Sequence, residues 1–412
     1  MTQAAAPSRP PMLTMAQALD ALLGAARPLA QVELVDTLDA NGRVLAAPVT
    51  SSLRVPPADN TSMDGYAMRA ADVPAAGTRL RVSQRIPAGH VGTALEAGTA
   101  ARIFTGGLIP PGADAVVMQE QCAAEGEDVI VNHVPQAGEW VRRAGEDIEA
   151  GSVILPPGTR LTPQALGLAA SVGQAKLDVV RRVRVAVFFT GDELAMPGEP
   201  LRPGAIYNSN RFTLRGLLEN LGCEVSDFGI VPDTLAATRE TLRRAAQGHD
   251  LIITSGGVSV GEEDHIKPAV EAEGRLDMWQ IAIKPGKPLA FGQVGNGGEP
   301  AFFLGLPGNP VSSFVTFLLF VRPFILRLQG VADVTPRRLP LRADFELNKG
   351  DRRNEFLRAR INAGGGLDLF PNQSSGVLTS TVWGDGLIDN PPNQAIARGD
   401  TVQFIPFDGL LA

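Results

Sequence analysis

Three loops rich in glycine and proline, all within residues 251–314, limit what this chain can fold into. The first, Ser255-Gly256-Gly257-Val258-Ser259-Val260-Gly261-Glu262-Glu263-Asp264, follows the apolar run Leu251-Ile252-Ile253-Thr254. The second is Ile283-Lys284-Pro285-Gly286-Lys287-Pro288, and the third, Leu306-Pro307-Gly308-Asn309-Pro310, follows Ala301-Phe302-Phe303-Leu304. Apolar runs too short for a helix that close on glycines read as strands buried on both faces and ending in tight turns. Such strands belong to parallel sheets.

A backbone without Cβ can adopt positive φ and bring its N–H groups against an oxyanion. Pro310 fits the first position of a helix running to Leu318, with Asn309 as N-cap, so a helix N-terminus adds its dipole to the third loop. Either glycine loop alone is only a sharp turn. Three of them in one α/β unit, beside Lys284 and Lys287, predict a ligand that carries phosphate.

The chain of 412 residues exceeds one ordinary core, so two to four domains are expected. A net charge of −7 gives no general attraction for nucleic acid or an anionic membrane, and any anionic ligand must be held locally. Cys122 and Cys223 are too few and too far apart for a disulfide framework or a zinc site and suit a reducing cytoplasm. His90, His133, His249 and His265 lack metal-ligand spacing. The Ala- and Pro-rich start, 1–12, reads as a disordered tail without a signal pattern. The apolar run 314–321 is broken by Arg322-Pro323 and is too short to span a bilayer.

Taken in order, Thr14 to Leu23 reads as an amphipathic helix, and a second helix is expected over Val35 to Leu45. The segment Val55-Pro56-Pro57-Ala58-Asp59-Asn60-Thr61-Ser62-Met63-Asp64-Gly65-Tyr66-Ala67 is a loop crowded with functional side chains. Residues 67–141 alternate in short runs and predict a small β module, and a helix capped by Thr162 follows at Pro163. From Arg184 the pattern becomes βα alternation, which argues for a doubly wound unit. After Gly330 short β runs return, spaced as in a small β-barrel.

In doubly wound sheets, ligands sit beyond the carboxyl ends of the strands. Glu193, Asp233, the Ser255 loop with Asp264, and the Pro307 loop all fall at that edge. Carboxylates beside phosphate-cradling glycines call for a hard cation between them, and Mg²⁺ combines one or two carboxylates with phosphate oxygens. Each carboxylate by itself is equally well explained as a cap or a solvated side chain. Glu193, Asp233 and Asp264 are the candidate metal ligands.

With these residues in view, the sequence resembles the molybdopterin molybdenumtransferase family, the bacterial relatives of the gephyrin E domain. The resemblance covers nearly the whole chain after Met12. It rests on 59–67, Thr105-Gly106, Arg143-Ala144-Gly145-Glu146-Asp147, Thr190-Gly191-Asp192-Glu193-Leu194, 255–261, the lysine loop and Pro307-Gly308-Asn309-Pro310. It implies a doubly wound α/β molybdopterin-binding unit, 183–331, and an N-terminal α+β unit made of 12–50 and 145–182. It also implies an inserted β unit, 51–144, and a C-terminal β-barrel, 332–412.

The implied activity is insertion of molybdate into adenylylated molybdopterin with release of AMP, assisted by Mg²⁺, in a cytoplasmic homodimer. Other proteins of molybdenum cofactor biosynthesis and acceptor apoenzymes are the further partners implied, with no nucleic acid and no membrane. By motif matching, the catalytic residues are Asp64, Thr105, Asp147, Glu193, Asp233 and Asp264. The cofactor-binding residues are Ser255, Gly256, Gly257, Ser259, Lys284, Lys287, Pro307, Gly308, Asn309, Pro310, Arg358 and Ser375. Two positions depart from the family pattern: Gln280 stands where a basic residue is common, and Ser374-Ser375 replaces a Gly-Ser pair. Two alternatives are molybdopterin adenylyltransferase, which shares the α/β unit, and a non-catalytic gephyrin-like scaffold.

Overall fold

The computed structural model describes residues 12–258, 265–295 and 299–411; most of the expected tail, together with Ser259 and Asp264, lies outside them. Its central sheet has six strands, in the order Glu224–Val231, Arg184–Thr190, Leu251–Ser255, Ala301–Leu306, Pro288–Val294, Gly274–Gln280. The first four run parallel. Side chains alternate across the sheet with period two. Val185, Val187 and Phe189 therefore pack with Leu214, Leu217 and Phe320 on one face, while Ala186 and Phe188 pack with Leu242, Ile266 and Val270 on the other.

Helices thus cover both faces, and Leu251–Ser255 is buried at every position. The far edge of the sheet departs from parallel: Pro288–Val294 is antiparallel to Ala301–Leu306, and Gly274–Gln280 is antiparallel to Pro288–Val294. Two reversals restore the direction, so Gly274–Gln280 ends at the same edge as Leu251–Ser255 and Ala301–Leu306. The lysine loop emerges there. Ser255 is in register with Leu306, which starts the two glycine loops side by side.

The helix after the third loop corrects the sequence reading. It runs from Pro310 to Leu328, straight through Arg322-Pro323, and its most apolar window is 94% buried, so it is the core helix of the α/β unit. Proline lacks an N–H and its ring collides with the carbonyl four residues back. A π-helical turn at Phe317–Val321 widens the coil just before Pro323 and accommodates it.

The helix Met15–Ala25 opens on a capping box in which Thr14 and Gln17 exchange side-chain-to-backbone hydrogen bonds. The helix expected over Val35 to Leu45 is not formed. Val32–Asp36 is instead a strand paired antiparallel with Lys176–Val180, followed by a 3-10 turn at Thr37–Asp39. Ala40, Leu45 and Val49 share one core with Leu155, Leu161, Ala169 and Val179, so chain from before and after the inserted module packs together.

The inserted module is a six-stranded sheet in which Gly65–Met68 is buried at every position. At the C-terminus, Leu339–Arg342, Thr401–Pro406, Gly386–Asn390 and Asn354–Ile361 pair in that order. Leu367–Leu369 adds to Asn354–Ile361, and Ala343 bridges Leu367, which closes the barrel around Phe345, Ile388 and Phe404. One strand from outside joins this sheet: Ile283–Lys284 of the lysine loop pairs parallel with Asn354–Ile361.

Candidate active site

At the carboxyl edge of the central sheet lies a cleft of about 660 Å³, walled by all three loops and by the barrel residues Arg353, Gln373, Ser374 and Ser375. Clefts of this size hold one drug-sized ligand. Gly256 and Gly257 have φ of +100° and +63°, and a Cβ on Gly256 would lie 2.9 Å from the Thr190 carbonyl oxygen. The Gly256 N–H donates to the Leu306 carbonyl at 3.1 Å, whereas those of Gly257 and Gly308 find no acceptor among the described residues. Two amides without an acceptor on adjacent loops of the cleft wall are suited to an oxyanion.

The two glycine loops are tied together by a residue the sequence reading missed. Asn210 Nδ2 donates to Ser255 Oγ and to the Gly308 carbonyl oxygen, each at 2.8 Å. Ser255 Oγ in turn donates to the Pro307 carbonyl at 2.9 Å. The helix that carries Asn210 is capped by Asn208, whose side chain accepts from the Arg211 N–H. Asn208 and Asn210 both line the cleft. A polar Asn-Ser-Asn run opening a helix just beyond a strand edge was the available signal.

At the third loop, Pro310 is the first helical residue as expected, but Asn309 makes no side-chain cap. The Val311 N–H donates instead to the Ser375 carbonyl at 3.0 Å, so the barrel covers this helix start. Lys287 lines the cleft and has no ion-pair partner among the described residues. Lys284 also lines it, but its ammonium lies 3.1 Å from Glu355 and 3.4 Å from Asp351 of the barrel. The sequence reading named Lys284 as cofactor-binding and was silent on these barrel carboxylates. Arg353 forms a two-pronged pair with Asp351, and these hydrogen bonds hold the Asp351 carboxyl far below its usual range.

Arg358 is 1% exposed and has no carboxylate partner among the described residues. Its guanidinium donates to Ser380 Oγ, the Phe356 carbonyl and the Ser374 carbonyl. Burial pushes its pKa down to about 10, so it is still charged at neutral pH. Arg358 is not part of the cleft's wall; it reaches that wall through the Ser374 carbonyl that it holds.

Of the candidate carboxylates at this edge, Glu193 lines the cleft and makes no ion pair among the described residues. Asp233 accepts from the Thr190 hydroxyl at 3.0 Å, just behind the cleft wall. Asp264 and Ser259 lie outside the described residues. No group of three His, Cys, Asp or Glu side chains arranged to hold a metal occurs among the described residues.

Asp64, Thr105 and Asp147 are not part of this cleft's wall. The inserted module joins Asp64 and Thr105 directly, through two hydrogen bonds. Asp147 is exposed where the chain leaves that module, with its N–H on the Val55 carbonyl at 3.0 Å. Asp59 braces the same corner, accepting from the Ala144 N–H and from Arg143. One chain therefore carries two separate polar clusters.

Comparison with known proteins agrees with this arrangement across the whole length. Residues 13–173 match the MoeA N-terminal region (domain I and II), 186–327 a probable molybdopterin binding domain, and 339–407 the MoeA C-terminal region (domain IV). A molybdopterin molybdenumtransferase of Haemophilus influenzae is 39% identical over 407 residues, covering 97% of this chain and 100% of the relative. One from Nostoc sp. is 39% identical over 345 residues, covering 82% and 79%. The solved molybdopterin biosynthesis MoeA protein of Pyrococcus horikoshii OT3 superposes with a TM-score of 0.83 at 29% identity, over 96% of this chain and 100% of that one.

Proposed function

The chain belongs to the molybdopterin molybdenumtransferase family, and on that premise we propose how its cleft serves the reaction. It is a transferase of molybdenum cofactor biosynthesis that inserts molybdenum into molybdopterin. In the finer reading, its substrate is adenylylated molybdopterin, which meets molybdate in the cleft and leaves AMP behind. The observation that carries this is the three-loop cleft with Lys284, Lys287 and Arg353 in its wall, backed by Arg358 behind the Ser374 carbonyl. Phosphoanhydride and molybdate are both anions, and a site that gathers them needs cations and amides fixed in advance.

The residues divide the work by position. The Gly257 and Gly308 amides and Lys287 hold phosphate, with Gly256 turning the first loop, and the Ser374-Ser375 turn, backed by Arg358, draws the second anion. Lys284 supplies a further charge, and Pro307, Asn309 and Pro310 shape the wall. In this reading Glu193, Asp233 and Asp264 would hold Mg²⁺, whose chemistry would be to offset charge on the phosphoanhydride. Glu193 suits that role: it is a cleft carboxylate with no cation partner among the described residues, and Mg²⁺ needs only one or two carboxylates once phosphate oxygens are present.

The separate Asp64–Thr105–Asp147 cluster completes the site from a second copy of the chain, so the working unit is a cytoplasmic homodimer. The proposed division of each subunit is 12–50 with 145–182, 51–144, 183–331 and 332–412. The upstream adenylyltransferase reading is not favoured, because the matched N-terminal and C-terminal regions flank the α/β unit. Incubation of pure protein with adenylylated molybdopterin, Mg²⁺ and molybdate tests the proposal. AMP release that depends on molybdate supports it, and none refutes it.

A further inference from the structure

The lysine loop of the α/β unit is also an edge strand of the barrel sheet. Ile283 and Lys284 are in register with Asn354 and Glu355, and the Asn354 N–H donates to the Ala282 carbonyl at 2.9 Å. This pairing lays Lys284 beside two barrel carboxylates, Glu355 Oε1 at 3.1 Å and Asp351 Oδ2 at 3.4 Å. The two acids are not equivalent. Asp351 already has the Arg353 fork, whereas Lys284 is the one cation within ion-pair range of Glu355 among the described residues. The Glu355 side chain is 5% exposed and that of Lys284 41%. The other Glu355 oxygen accepts from the Asp351 N–H at 2.9 Å.

We infer that Glu355 is a positioning residue: from inside the barrel it fixes where the Lys284 ammonium stands in the cleft of the α/β unit. The inference rests on the functional reading given above. A lysine ammonium has three N–H donors. Two directed at Glu355 and Asp351 leave the third for an anion in the cleft, so Lys284 stays anchored while it binds. A free lysine would lose rotamer entropy on meeting phosphate; this one has lost it already. Asp351 cannot replace Glu355, because its charge is shared with Arg353.

The test is a double-substitution cycle with Lys284→Met, Glu355→Gln and both together, read by molybdate-dependent AMP release and by thermal melting. Glu355→Gln keeps the shape and removes the charge, and is expected to lower kcat about tenfold by loosening the lysine. In the Lys284→Met background, the same change is expected to cost nothing further. Lys284→Met alone strands a buried carboxylate and is expected to lower the melting temperature by about 5 °C, which Glu355→Gln then restores. Equal loss from Glu355→Gln whichever residue occupies 284 would overturn the inference, as would wild-type kcat in the single variant. A wild-type protein that releases no AMP would instead sink the functional reading. Melting alone then decides the pairing: recovery in the double variant upholds it and additive loss ends it.

Discussion

Asp64 Oδ1 accepts two hydrogen bonds from Thr105, one from its backbone N–H and one from its hydroxyl, both at 2.7 Å. The backbone N–H first, and then the hydroxyl, hold the carboxyl below its ordinary value of 3.8, so Asp64 is charged at any working pH. A depressed carboxyl contributes stability that is complete above the unfolded value and is lost as pH falls through the folded one. Thr105→Ala removes the lesser donor and leaves the greater. The Asp64 titration followed by NMR is therefore expected to move part of the way back toward 3.8, with the contribution to stability smaller and its acid-side loss complete at a higher pH. An unchanged titration would show that the hydroxyl contact is not kept in solution.

Subunit mixing tests the shared site. Asp64→Asn disables the inserted-module cluster and Asp233→Asn the sheet edge, each with little change in volume. If the site is built from two copies, random exchange of the two inactive dimers leaves half of all dimers mixed, each with one intact site of two. About a quarter of wild-type activity is then expected. With full exchange verified by mass, no recovered activity would place each site within a single chain.

Asn210→Ala cuts the link between the first and third loops, because one amide nitrogen serves both Ser255 Oγ and the Gly308 carbonyl. About 1–2 kcal/mol of stability is expected to go with the two bonds. The larger effect is on the loops' spacing, with KM for the pterin substrate raised about tenfold or more. Asn210→Asp is expected to be worse, since it sets a carboxylate against the Gly308 oxygen. Steady-state kinetics together with a urea titration separate the two effects.

Arg358→Met is expected to abolish at least about 99% of activity while leaving the melting temperature level or raised. The buried guanidinium has neutral acceptors and no carboxylate among the described residues, so a well-packed apolar side chain costs the fold little. Losing the cation that holds and polarises the Ser374 turn in the cleft wall is expected to cost catalysis far more. A large fall in melting temperature would show that Arg358 is structural.

Legibility in the sequence followed how local each cause is. The buried strands were legible because Leu251-Ile252-Ile253-Thr254 and Ala301-Phe302-Phe303-Leu304 carry their pattern within themselves, and the loops followed from glycine and proline. Val32–Asp36 was not legible, since its ladder partner begins at Lys176 and a few alternating residues fit a helix as well. Arg322-Pro323 read as a helix end because the π turn that absorbs the proline is set by packing around Phe317–Val321. Lys284 was found as a site residue, but its engagement was not. The carboxylates that hold it are Asp351 and Glu355, the latter 71 residues along the chain, and no local pattern marks them.

The parallel pairing of Ile283–Lys284 with Asn354–Ile361 also bears on modularity. Excision of residues 183–331 as a free-standing piece would strip the lysine segment of its ladder and leave bare amides at the mouth of the cleft. The seam between the two units runs through the candidate pocket itself, so a chimera that joins this α/β unit to a foreign barrel must carry residues 351–355 across with it.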